Sequence, residues 1–171
     1  MAKKYYKTKV VDLGEQVADF SSKAKMLVLF EDSMVFPELR SFAVLHSGNK
    51  LDDTIKAGDI IKIADSEFKI IKVGGDVQKN LINLGHVVIK FDDGAGDLME
   101  GSIHVEDKTI PKIRLGDEIS INEVSGSILK GKRAAIIGND NETGKAVSQI
   151  LVDSGATIVS EAEADIVVKI K

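Results

Sequence analysis

The stretch KAGDIIKI, residues 56–63, returns in altered form as RLGDEISI, residues 114–121. Each uses a Gly-Asp pair to turn the chain and then runs on with alternating apolar residues, the period of a strand that lays one face on a core. A turn-and-strand unit used twice favours a small barrel, in which short strands share one interior. The rest of the chain up to about residue 122 has the same grammar, with β-branched runs separated by Gly, Asp, Asn and Ser. Strands are expected at Tyr5–Val11, Met26–Phe30, Phe42–His46, Asp59–Ile63, Phe68–Val73, Val87–Phe91, Ser102–Val105 and Glu118–Ile121.

One helix interrupts them at Asp76–Leu84. Asp76 is its expected N-cap, Val77, Leu81 and Leu84 share a face, and Gly85 supplies a left-handed stop. A second helical stretch is expected within Leu13–Lys25, with Val17 and Phe20 inward. The fold class is therefore mainly β: a small, partly open β-barrel with one short helix, occupying residues 1–124. Beyond Val124 the pattern changes. SGSILKGKR reads as a link, and the remainder reads strand, helix, strand, strand. The helix is expected near Glu142–Ser154, with Ala146, Val147, Ile150 and Leu151 on one side and Gly155 at its end. Residues 125–171 thus form a βαβ-like C-terminal extension, too small to be expected to stand alone.

Composition narrows the function. A length of 171 residues suits one main core plus an appendage, and 43% hydrophobic with 29% charged residues is ordinary for a compact protein. A formal net charge of −4 gives no reason to seek a phosphate backbone, and 5% aromatic residues supply no stacking platform, so nucleic acid is not an expected partner. No run approaches membrane-spanning length and no hydrophobic leader opens the sequence, so direct membrane insertion is not expected and the cytoplasm is the expected location. With no cysteine, thiolate metal sites and phosphocysteine are excluded.

That leaves three histidines, His46, His86 and His104, each beside a strand-like run. A neutral imidazole carries one free lone pair near neutral pH and can attack phosphorus without a separate strong base. Phosphoryl transfer asks the protein mainly to align donor and acceptor and to offer hydrogen bonds to the equatorial oxygens. His46, at the end of FAVLH and just before the turn residues SGNK, is well placed for that, at the rim of a rigid barrel. Three imidazoles could alternatively hold zinc, but no HxH or HExxH spacing brings two together, and neither a metal nor an organic cofactor is expected.

The segments MLVLFED, PELRSFAVLH, IKAGDIIKI, FKIIKVGGDVQKNLINLGHVVIKFD, GSIHV and LGDEISI resemble the glucitol/sorbitol-specific enzyme IIA component of the bacterial phosphoenolpyruvate-dependent sugar phosphotransferase system. The resemblance covers roughly Tyr5–Ile121. It implies a small β-barrel and a phosphohistidine intermediate at His46, loaded by the phosphocarrier protein HPr and unloaded onto the IIB component of a IIB/IIC membrane sugar permease. An alternative use of the same chemistry is a phosphorylation-controlled module acting on a sugar-operon regulator. Within this reading His86 follows a helix C-terminus that favours a protonated imidazole, and is a candidate hydrogen-bond donor to phosphate, or else only a cap. His104 is expected to face solvent, or to wall the same site. Phe42, Val44 and Leu45 are candidate docking residues, with alternation expected to hide some of them in the core. In the extension, LKGKRAAIIGNDNETGKAV, DSGATIV and ADIVVKI are similar to segments of methylenetetrahydrofolate dehydrogenases. Gly138 and Gly144 do not make the GxGxxG spacing, so a packing or docking role is expected in place of nucleotide binding.

Overall fold

A computed structural model describes residues 3–48, 50–123, 132–137 and 142–169. Two compact units emerge, the first spanning Lys3–Glu123. It contains β1 (Lys4–Leu13), α1 (Val17–Ala24), β2 (Met26–Glu31), a 3-10 helix at Pro37–Phe42, β3 (Ala43–Ser47), β4 (Ile60–Ile63), β5 (Ser66–Val73), α2 (Val77–Leu84), β6 (Val87–Phe91), β7 (Ser102–Val105) and β8 (Glu118–Asn122). The strands close into a barrel in the order β1-β3-β2-β6-β7-β5-β4-β8. Alternate residues fill it, among them Leu27, Leu29, Val44, Ile61, Phe68, Ile70, Ile89, Phe91, Ile103 and Ile119.

The barrel is closed, where the sequence suggested one partly open. Its first strand makes the difference: β1 pairs with β8 through Lys4–Lys9 and with β3 through Lys9–Leu13, bending at a bulge between Val10 and Asp12. A bulge increases local twist and lets one strand turn a corner between two neighbours.

The echo that opens the sequence is one part of a complete internal repeat. Strands β1 to β4 with α1 correspond in order to β5 to β8 with α2, and exchanging the two sets leaves the barrel order unchanged. The register repeats in detail. Val10↔His46 and Asp12↔Leu45 across one bulge match Ile70↔Val105 and Lys72↔His104 across another. Gly58 and Gly116 take similar positive φ values, 97° and 87°, in the two Gly-Asp turns, and their N–H groups reach Ile70 O and Val10 O respectively.

Each half contains a parallel pair, β2 with β3 and β6 with β7. Parallel neighbours need a crossover, and both crossovers run over the outside of the barrel. Residues 32–42 cover Phe30, Ala43 and Leu45, which form a second apolar cluster with Val28, Val35 and Leu84. Leu45 is thus fully buried under the crossover and Val44 inside the barrel, so neither can be a docking residue; Met34, Phe36 and Leu39 of the crossover are exposed instead. The second crossover, residues 92–101, covers His104.

In the C-terminal unit, β9 (Arg133–Ile137), α3 (Glu142–Asp153), β10 (Thr157–Ile158) and β11 (Ile166–Lys169) give a parallel sheet ordered β10-β9-β11. The packed face of α3 is Gly144, Val147, Ser148 and Leu151, while Ala146 is exposed and Ile150 is 63% exposed. The apolar side is rotated from the predicted one because the helix packs on β9 and β10, and Gly144 is buried. Most of the expected link at 125–133, residues 138–141 and Asn49 lie outside the described residues.

Candidate functional site

His46 shares its strand parity with Val44, so its ring points into the end of the barrel. It is 0% exposed. The sequence placed this imidazole at an open rim; the structure seals it. Gly85, the left-handed residue that ends α2, lays its carbonyl 2.6 Å from Nε2, and Thr8 Oγ1 lies 2.8 Å from Nδ1. Because a carbonyl only accepts, Nε2–H is the donor in that contact. Burial pushes the His46 pKa below its ordinary value, and hydrogen bonds to the Gly85 and Gly48 backbone and the Glu31 charge oppose that push without reversing it. The resting ring is neutral near pH 7.

The corner that seals the ring is tightly fitted. The positive φ of Gly85 suits glycine, and a Cβ there would stand 2.6 Å from Glu31 Cβ and 2.8 Å from His46 Cε1. The next residue, His86, is stacked on Phe30 with ring centroids 4.0 Å apart, and its Nδ1–H donates to Leu29 O at 2.9 Å. The expected protonated His86 is corrected here: burial lowers its pKa, outweighing its hydrogen bond to the backbone. In the neutral ring the remaining nitrogen, Nε2, is an acceptor.

His104 is turned away from Ile103 and Val105 as the alternation requires, yet it is 0% exposed, contrary to the expectation of a solvent-facing residue. Its Nδ1–H donates to Asp92 Oδ1 at 2.8 Å, and the same carboxylate accepts the Gly94 and Gly96 amides at 2.9 and 3.1 Å. Nε2 is buried without a hydrogen-bond partner. Asp92 therefore ties the crossover to the barrel. Asp92→Ala is expected to cost about 2–3 kcal/mol, since the buried ring then loses its one partner; chemical denaturation measures it, and an unchanged midpoint contradicts this role.

The internal repeat shows what the fold itself requires at the His46 position. The residues equivalent to Thr8 and His46 are Phe68 and Val105, both buried and apolar. An apolar pair fills that place in one half, so the polar pair in the other is not a demand of packing. Thr8 and the Gly85 carbonyl were missed from sequence, although Thr8 sits at an inward position between Tyr6 and Val10. Among the described residues no group of three or more His, Asp or Glu side chains converges as a metal site, and no helix is long and apolar enough to cross a membrane.

Residues 5–120, nearly all of the barrel unit, match the family model of the PTS system glucitol/sorbitol-specific IIA component. The chain belongs to that family. The glucitol/sorbitol-specific EIIA components of Shigella flexneri and Escherichia coli (strain K12) are each 24% identical to this IIA component over 119 residues, 70% of this chain and 95% of the relative. A solved PTS system IIA component from Enterococcus faecalis V583 is 27% identical, with a TM-score of 0.61, and the match covers 69% of this chain and 100% of that one. As a IIA component, the protein is a phosphocarrier of the glucitol/sorbitol phosphotransferase system.

Proposed function

We propose that this IIA component works in the cytoplasm by carrying the phosphoryl group on His46, taking it from HPr and passing it to the IIB component of a glucitol/sorbitol permease. The carrying observation is the polar Thr8–His46 pair at a barrel end whose repeat-related counterpart, Phe68 and Val105, is apolar. Membership of the family supports the same reading. Every residue invoked lies in the barrel unit.

The chemistry follows from the shell around the ring. A neutral imidazole is nucleophilic without a base, and transfer between two such rings needs little driving force. In the sealed state both nitrogens are occupied, so loading requires the Gly85 corner to move and release Nε2. Reclosure around the ring would exclude water and protect the N–P bond from hydrolysis. His86, one residue from that carbonyl, becomes a hydrogen-bond donor through Nε2 only if it gains a proton, which a neighbouring phosphoryl dianion favours.

Incubation with phosphoenolpyruvate, enzyme I and HPr tests the reading. Wild type should form an acid-labile, alkali-stable adduct that discharges onto IIB, and His46→Gln should form none. His86→Gln should keep the adduct at a reduced loading rate. Undiminished labelling of His46→Gln would rule His46 out.

A further inference from the structure

We propose that Thr8 is a positioning residue for the transfer: its hydroxyl holds the ring proton on Nδ1 of His46 and leaves Nε2 as the attacking nitrogen once the Gly85 carbonyl has moved aside. The inference rests on His46 being the phosphoacceptor. Three contacts define it: Nε2 to Gly85 O at 2.6 Å, Nδ1 to Thr8 Oγ1 at 2.8 Å, and Thr8 Oγ1 to Ser47 O at 2.9 Å, with the Gly48 backbone as a further hydrogen-bond partner of the ring.

Thr8 has one hydroxyl hydrogen and cannot donate to Nδ1 and Ser47 O together. All three hydrogen bonds coexist only on a ring bearing both protons, and burial opposes that charge. The neutral ring thus has two arrangements. With Gly85 in place, Nε2–H donates to its carbonyl and Thr8 turns its hydrogen onto Nδ1. With Gly85 withdrawn, Nδ1–H donates to Thr8 Oγ1 while Thr8 donates to Ser47 O, two linked bonds that polarise each other. Nε2 then presents a bare lone pair. Passing from the first state to the second releases the Nε2 proton to water admitted as the corner opens and returns a proton from water to Nδ1, while the Thr8 hydroxyl turns from Nδ1 to Ser47 O.

In the transfer, the N–P bond of the donor phosphohistidine breaks as the Nε2–P bond forms. The departing nitrogen keeps the electron pair. The proton on Nδ1 stays where it is, and its hydrogen bond to Thr8 tempers the positive charge that the ring develops. A second observation points the same way: in the other half of the repeat both members of the pair are replaced together, by Phe68 and Val105.

Thr8→Val removes the hydroxyl and keeps the shape. The initial rate of labelling by phosphorylated HPr is expected to fall about tenfold, the effect of taking the hydroxyl acceptor from a buried N–H that keeps only the Gly48 backbone. Thr8→Ser should restore it to within a few-fold. In ¹⁵N spectra, the phosphorylated ring of Thr8→Val should lose its Nδ1 proton at lower pH than wild type, a change that simple loosening of the fold does not produce. The inference is overturned by an unchanged rate and unchanged titration in a Thr8→Val protein still labelled at His46. It is equally overturned, with no variant needed, by wild-type protein carrying the phosphoryl group on Nδ1. Wild type that never labels at His46 defeats the underlying reading, and does so before any variant is made.

Discussion

Gly85→Ala should cost this protein about 2–5 kcal/mol of stability and open the His46 end of its barrel. A non-glycine residue in the left-handed region loses roughly 1–2 kcal/mol, and forcing an extra carbon into a packed place adds about 1–3 kcal/mol. Here the new methyl would meet the Glu31 backbone nitrogen at 2.9 Å as well as Glu31 Cβ and the imidazole, so the corner must lift. Lifting breaks the Nε2–H bond to Gly85 O and admits water. Because burial is the largest cause of the lowered His46 pKa, wetting the ring should raise that pKa towards its ordinary value, seen as a shifted imidazole proton titration. Gly58→Ala is the control. Gly58 also has a positive φ but nothing lies within 4 Å of its added carbon, so only the backbone cost applies, roughly 1–2 kcal/mol. Equal melting temperatures for the two variants would mean that the Gly85 corner does not seal the ring.

Acid should weaken the fold in two separate steps. His46 and His86 both titrate below their ordinary value of 6.5, chiefly because they are buried. Above pH 6.5 they are neutral in folded and unfolded chains, and their contribution to stability is fully present. As pH falls below 6.5 the unfolded chain takes up protons that the folded one refuses, and that contribution is lost down to the folded pKa values. Each proton of difference is worth about 1.4 kcal/mol per pH unit. The second step comes as pH falls through and below the ordinary carboxylate range. Asp92 is held below its ordinary value by the Gly94 amide, His104 and the Gly96 amide, which together outweigh its burial. Surface pairs such as Lys4–Glu118 contribute little there. Denaturant midpoints measured from pH 8 to pH 3 should show both descents, and His46→Gln should flatten the first. A stability constant between pH 7.5 and pH 5.5 would contradict the neutral buried rings.

All eight barrel strands and α2 could be read from local pattern, since short alternating runs, Gly-Asp turns and a glycine stop are local chemistry. Closure could not, because it depends on β1 meeting β8 from the opposite end of the unit and on a bulge at Val10/Asp12 that no residue type announces. Alternation assigns Leu45 and His104 correctly to the outer face, but outer means exposed only where nothing lies above. The crossovers demanded by the parallel pairs cover both residues. The repeat showed in the sequence only at its turns, since Thr8 and His46 stand where the other half has Phe68 and Val105. His46 itself was legible as a strand-end histidine, while its sealing was not: Gly85 reads as a helix stop, and nothing local says where the carbonyl of that stop will point.

The most direct measurement locates the phosphoryl group in intact protein after brief loading from phosphorylated HPr, by ³¹P and ¹⁵N spectra of histidine-labelled material checked by peptide mass analysis. The group should be found on His46 alone, with His86 and His104 unmodified. A phosphoryl group on either of those rings, with His46 still sealed behind Gly85, would contradict the account.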